Sequence, residues 1–279
     1  MSYQRKSLVW GIGILMLFVL SVSFDEELLI ERTFLIVGLC FACELIDSGL
    51  GMGYGTILTP TMLLLGYAPA DIVPTILVSE LLSGFAASFF HNEIRNVELG
   101  FKGQHFKPAA ILASGSLAGV TAGVFLAAAL PTAALRALIG CIILLSGLFV
   151  LLLSRRVIEY RSWKVLSLAT VASFNKAVSG GGYGPLVTSG QILSGVRGKS
   201  AVGITSFAEG FTCLLATGLF LLKGGHINLQ ILVPMCSGAL LSVPFSVFAV
   251  NRANEDYLKI LIGVLTLVMG ALTIYKTIA

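Results

Sequence analysis

Two glycine-rich stretches, Gly51-Met52-Gly53-Tyr54-Gly55 and Gly180-Gly181-Gly182-Tyr183-Gly184, interrupt long apolar runs at corresponding places in this chain. Tyr54 and Tyr183 are 129 residues apart, and the same offset matches Thr59 with Thr188, Gly66 with Gly195, Val73 with Val202 and Glu80 with Glu209. A later echo sets Leu135-Arg136-Ala137-Leu138-Ile139-Gly140 against Leu258-Lys259-Ile260-Leu261-Ile262-Gly263. Paired breaks in the two halves of an apolar chain point to a membrane transporter built from an internal repeat, with half-helices that stop inside the bilayer.

Composition says what medium surrounds those breaks. Only 11% of the 279 residues are charged and 56% are hydrophobic, against about 25% charged in soluble domains, so a water-soluble globule is excluded. The apolar runs lack period-two alternation, and many reach the roughly 20 residues that a spanning helix needs. The expected fold is an all-α integral membrane protein, not a barrel. The net charge of +4 sits in loops and termini, and no basic patch with interleaved aromatics suggests nucleic acid. The five cysteines, Cys40, Cys43, Cys141, Cys213 and Cys236, fall inside apolar segments and read as helix packing, not as a disulfide or zinc framework.

Residues 1–32 read as an uncleaved anchor helix and loop, with Arg5 and Lys6 before the apolar run 8–24 and Asp25, Glu26 and Glu27 after it. Five apolar segments per half follow, at about 33–49, 54–65, 71–91, 106–129 and 133–153, then at 163–179, 183–194, 199–222, 229–250 and 256–276. The first repeat therefore covers 33–153 and the second 154–279. The second segment of each half is too short to cross, and reads as a half-helix whose glycine loop must be buried in protein or line a wet cavity.

Lys and Arg concentrate in short cytoplasmic loops. Arg5 and Lys6 precede the anchor, and Arg155, Arg156, Arg161 and Lys164 crowd the link between the halves. Both regions belong in the cytoplasm, so the first half makes an odd net number of crossings and the halves are inverted relative to each other. Lys102, Lys107, Arg197, Lys199 and Arg252 then also face inward, and the carboxyl terminus faces out.

Three sets of residues could carry function. The glycine loops, with Tyr54, Tyr183 and Ser179, offer amides and hydroxyls to an anion at the positive end of a half-helix, or else allow close helix packing. Asp47 and Lys176 occupy matched positions. An ionisable group at that depth costs about 2.5–3.5 kcal/mol and needs a partner or a task. They read as an ion pair, as snorkelling side chains near a loop, or as an anion site in which Asp47 limits the field of Lys176. Glu80 and Glu209, matched in the third segments, read as proton carriers or gates, or as hydrogen bonds holding the halves together. His91, His105 and His226 read as loop residues without metal-ligand spacing. No nucleotide-binding or hydrolase motif is present, so neither bound ATP nor catalysis is expected, and no cofactor or metal either.

The run Gly51 to Pro60 followed by Leu63-Leu64-Leu65-Gly66-Tyr67-Ala68-Pro69, with Gly180 to Gly184 and Gly195, resembles the sulfite exporter TauE/SafE family, departing from its usual pattern at Met52 and Pro185. The resemblance implies an inner-membrane permease for small sulfur-containing anions such as sulfite, sulfonates or thiosulfate. On this reading the substrate meets Gly51, Gly53, Tyr54, Gly55, Lys176, Ser179, Gly180, Gly181, Gly182, Tyr183 and Gly184, while Asp47, Glu80 and Glu209 couple or gate. Uptake of other organic anions and a non-transporting assembly role are the rivals. The partners are the anion and the bilayer, and a homodimer is one assembly the chain allows. In a cysteine-free background, a cysteine introduced at Glu159 should escape an impermeant thiol reagent added to intact cells; labelling from outside would overturn the inverted arrangement.

Overall fold

Hydrocarbon offers a backbone amide or carbonyl no water to bond, so an apolar chain resolves into helices that satisfy those groups internally. The computed structural model describes residues 27–153, 162–249 and 255–278. The expected anchor over 8–24, the charged link with Arg155, Arg156 and Arg161, and Arg252 lie outside the described residues. Among the described residues there are ten helices and no strand: α1 Glu27–Leu50, α2 Tyr54–Leu64, α3 Pro69–Glu93, α4 Phe106–Ala129, α5 Thr132–Leu153, α6 Ser162–Ser179, α7 Tyr183–Leu193, α8 Gly198–Leu222, α9 Leu229–Ala249 and α10 Glu255–Ile278. Six of them are long and apolar enough to cross a membrane. The helices follow the apolar segments closely. The largest departure is α1, which begins at Glu27 instead of about 33, because a helix continues through the mixed run Glu27-Leu28-Leu29-Ile30-Glu31-Arg32 without losing internal hydrogen bonds.

The short helices belong to hairpins. The eleven residues of α2 span about 16 Å, half of a hydrocarbon core of about 30 Å. Leu65, Gly66 and Tyr67, just past α2, line one cavity with Arg32, Leu35 and Ile36 near the start of α1. In the second half, a Cβ on Gly190 of α7 would lie 2.3 Å from Leu168 of α6. Each glycine loop is thus the bend of a hairpin that returns toward the face it came from.

The two bends cross. A Cβ on Gly55 would stand 1.8 Å from the Gly180 carbonyl oxygen, and one on Gly184 would stand 2.3 Å from the Gly51 carbonyl oxygen. These two contacts map onto each other when the halves are exchanged. Thr188 Oγ1 tightens one of them by donating to the Gly51 carbonyl at 2.8 Å. Gly182, the N-cap of α7, adopts φ 78°, a left-handed conformation that a side chain would strain.

Around the crossing, matched helices run antiparallel. The start of α3 meets the end of α8 through Asp71 and His226, while the residues after α3 meet the start of α8 through Asn96 and Ser200. Gly140 of α5 sits by Ile274 of α10, and Gly147 by Leu267. Two further close pairs are parallel. Gly115, Gly119 and Gly123 bring α4 against Ala169, Ser173 and Ala177 of α6, and Gly238 of α9 packs on Val37 and Cys40 of α1. Small residues at four-residue spacing allow such approach where no hydrophobic effect drives association. Cysteines Cys40, Cys43, Cys213 and Cys236 are buried in this packing as free thiols.

Gly55→Ala has no room to relax, because the obstacle is backbone, and should cost more than about 4 kcal/mol or prevent folding. Gly38, whose Cβ would meet nothing within 4 Å, is the control. Melting of the two detergent-solubilised variants compares them, and equal stability would contradict the crossing.

Candidate functional site

Beside the crossing, three helices converge on one amine. Lys176, in the last turn of α6, is 1% exposed. Its Nζ donates to Glu80 of α3 and, at 2.8 Å, to Glu209 of α8. Both glutamates are buried. The matched acids therefore share a single cation, which also links the two halves of the chain. A lysine stripped of water needs such compensation, and removing one partner of a buried pair costs about 3–5 kcal/mol.

Asp47 stands at the start of α2. It is half-buried, and its Oδ1 accepts the Tyr54 amide at 3.2 Å, so it satisfies the first turn of α2. The groups hydrogen-bonded to Lys176 are the two glutamates. At the matched position the second half carries Lys176 itself, and Gly182 offers no side chain to cap α7. The two half-helix starts are thus electrostatically unlike. The first is met by a carboxylate belonging to the protein, and the second begins on a loop whose preceding helix ends in a lysine.

The hydroxyls are partly engaged in shaping the loops. Tyr54 Oη lies 2.7 Å from Ser79 Oγ; Tyr183 cannot repeat that bond, since Ala208 stands where Ser79 would be. Ser179 Oγ donates to the Asn175 carbonyl at 2.8 Å and accepts the Gly181 amide at 3.1 Å. Thr188 lies 2.9 Å from Thr205, which accepts from Gln191 Nε2 at 2.8 Å. Its counterpart Thr59 is buried with Oγ1 unpartnered, beside Gly180.

Two acid–base residues escaped the sequence reading. Glu44 is buried one turn before Asp47 and bonds Ser48 and, at 3.0 Å, Ser83. An acid within the first apolar segment was the available signal. His91 is not in a connecting loop as expected. It lies in the last turns of α3, buried, with Nε2 2.8 Å from the Ser48 carbonyl and Nδ1 3.0 Å from Asn96 Nδ2. The apolar residues before it continue the helix, and buried hydrogen bonds replace the water a loop histidine would have. No group of His, Cys, Asp and Glu among the described residues is arranged to hold a metal.

Access to the cluster differs between the two faces. At the start of α3 and the end of α8 a cavity of about 300 Å³ opens, walled by Val73, Pro74, Val178 and Phe220 and rimmed by Lys223 and His226. Along α3, Leu77 separates Val73 from Glu80, and Leu77, Ala177 and Cys213 belong to one apolar cluster under the cavity. At the other end of α3 and α8 the chain closes the way. Val97 is buried against Gly203, and Ser200 Oγ donates to the Asn96 carbonyl at 2.9 Å.

A family model described as sulfite exporter TauE/SafE matches residues 35–273. The chain is also 26% identical over 248 residues to the "Probable membrane transporter protein YtnM" of Bacillus subtilis strain 168, an alignment covering 83% of this chain and 79% of that protein. No solved structure matches it.

Lys176→Met should lower stability by about 3–5 kcal/mol through two uncompensated carboxylates. Adding Glu80→Gln and Glu209→Gln to it should recover much of that loss, since a neutral trio carries no unpaired charge. Denaturant melts of the two proteins make the comparison, and a triple variant no more stable than Lys176→Met would contradict the pairing.

Proposed function

This chain belongs to the sulfite exporter TauE/SafE family, and we propose that it exports a small sulfur-containing anion, such as sulfite or a sulfonate, across a prokaryotic inner membrane by proton-coupled alternating access. The observation that carries this reading is Lys176 held by Glu80 and Glu209 where the two glycine bends cross. An ammonium shared by two acids has one carboxylate more than it can neutralise. A proton or a change of partner must settle that excess, and an arriving anion competes with the glutamates for the same amine. Protonation of Glu80 or Glu209 would free Lys176 for the anion, and anion release would return it to the pair.

The antiparallel matched helices support alternating access, because each face is built from equivalent elements of opposite halves. Arg95, Lys102, Lys107, Lys164, Arg197 and Lys199 lie at the end of the bundle where Val97 packs, which favours that end as cytoplasmic. The cavity then faces outward, with its rim of Lys223 and His226 available to an anion. The glycine bends and Tyr54, Tyr183 and Ser179 shape the region beside Lys176, and Asp47 at the start of α2 discourages an anion there. The apolar cavity walls favour a second reading in which the substrate is an organic anion with an apolar body.

Flux in proteoliposomes with sulfite, thiosulfate, sulfonates and carboxylates decides between these readings. Glu80→Gln and Glu209→Gln should each lose accumulation driven by a pH gradient while keeping gradient-free anion exchange, since a fixed neutral amide holds the binding geometry but carries no proton. Accumulation at wild-type level in both variants would remove these acids from coupling.

A further inference from the structure

Glu44 takes no part in the Lys176 cluster, and the fold does not require an acid where it stands. The repeat places Ser173 at the matched position of α6, where its hydroxyl donates to the Ala169 carbonyl at 2.6 Å. In the first half the carboxyl is buried between two serines: Ser48 Oγ, one turn on along α1, donates to one oxygen, and Ser83 Oγ of α3 donates to the other at 3.0 Å. Among the described residues no amine or guanidinium bonds it.

Its place along the bundle is as informative as its partners. Ser83 lies one turn past Glu80 toward the end of α3, and His91, bonded to the Ser48 carbonyl, lies two turns further. Asn96 then ties His91 to the 94–105 loop. The Lys176 cluster, Glu44 with its serines, and His91 with Asn96 therefore form successive layers from the crossing to the face closed by Val97.

The titratable groups around Glu44 are Cys40, Cys43 and Asp47 on its own helix, Tyr54 on α2 and Glu80 on α3, with His91 reached through Ser48 and the Lys176–Glu209 pair beyond Glu80. The helix packed along α1, α9, brings Cys236 and no carboxylate or amine. Lys176 is already shared by two glutamates. An ionised, unpaired carboxylate at such depth costs several kcal/mol, and a hydroxyl can donate to a carboxylate or accept from a carboxylic acid without moving. Two serines on opposite oxygens suit a proton, whereas a calcium or magnesium ion would need six or more converging oxygens.

We propose that Glu44 is a second proton-carrying site, separate from the Glu80–Lys176–Glu209 cluster, that exchanges with water on the face of the 94–105 loop. Loading forms an O–H bond on Glu44 at the expense of hydronium and leaves the side chain neutral; release returns the proton to water and restores the charge. The inference rests on the proton-coupled reading above.

The test uses the full chain in liposomes, with methanesulfonate and thiosulfate as probe anions, a trapped pH dye, and infrared difference spectra of the same samples between acid and alkaline buffers. Glu44→Gln should lose one titrating carboxyl band and the pH-dependent part of net flux while keeping anion exchange, and Glu44→Asp should restore both. Glu44→Ser, which copies Ser173, carries the same comparison if the glutamine variant does not fold. A variant spectrum that retains every wild-type carboxyl band overturns the assignment. Wild-type anion flux without proton movement overturns the coupling reading along with it, whereas wild-type coupling that persists unchanged in Glu44→Gln overturns the assignment alone.

Discussion

Two backbones can cross at the distance seen between Gly55 and Gly180 only where no Cβ intervenes, and in this protein they do so twice, related by exchange of the halves. Much else follows from that crossing. It holds the bends of both hairpins together, so their interrupted backbones are buried in protein instead of exposed to lipid. It also brings the end of α6 among α3 and α8, which is where a lysine on one element can meet glutamates on two others.

The charge at that meeting point explains why the halves, so alike in backbone, differ in chemistry. A strictly duplicated site would place two aspartates or two lysines near the crossing, each repelling its copy. Here Asp47 satisfies the start of α2 while Lys176 reaches the two matched glutamates. Ser79 against Ala208 and Glu44 against Ser173 continue the divergence. The shared scaffold preserves helix packing, and the departures distribute one amine among several acids.

The same combination appears at the faces. Equivalent helix ends form both, yet one encloses a cavity of about 300 Å³ and the other is filled by Val97 and sealed by hydrogen bonds at Asn96. The difference comes from the connections. The segment after α3 folds back onto α8, while the shorter one after α8 leaves the mouth joined by the exposed contact of His226 with Asp71 at 3.1 Å. The connections on matched helices are thus unequal both in length and in the contacts they make.

Most of the helix boundaries were legible in the sequence because burial in lipid is a local property: twenty apolar residues announce a span, and a glycine cluster ahead of eleven announces a half-helix. The duplicated glycines and the matched glutamates could be read in the same way. Partnership could not. Asp47 and Lys176 occupy matched positions and invite pairing, whereas the structure gives the first to a backbone amide and the second to Glu80 and Glu209. Glu44 drew no reading within its apolar segment, and His91 read as a loop residue, because only neighbouring helices supply Ser83 to the one and the Ser48 carbonyl to the other. By itself, then, the sequence determined an all-helical membrane bundle with two glycine bends and the identities of most of its buried ionisable groups. Which of those groups touch was decided by tertiary structure alone, since a side chain's partner depends on how helices far apart in the chain pass one another, a relation that hydropathy does not encode.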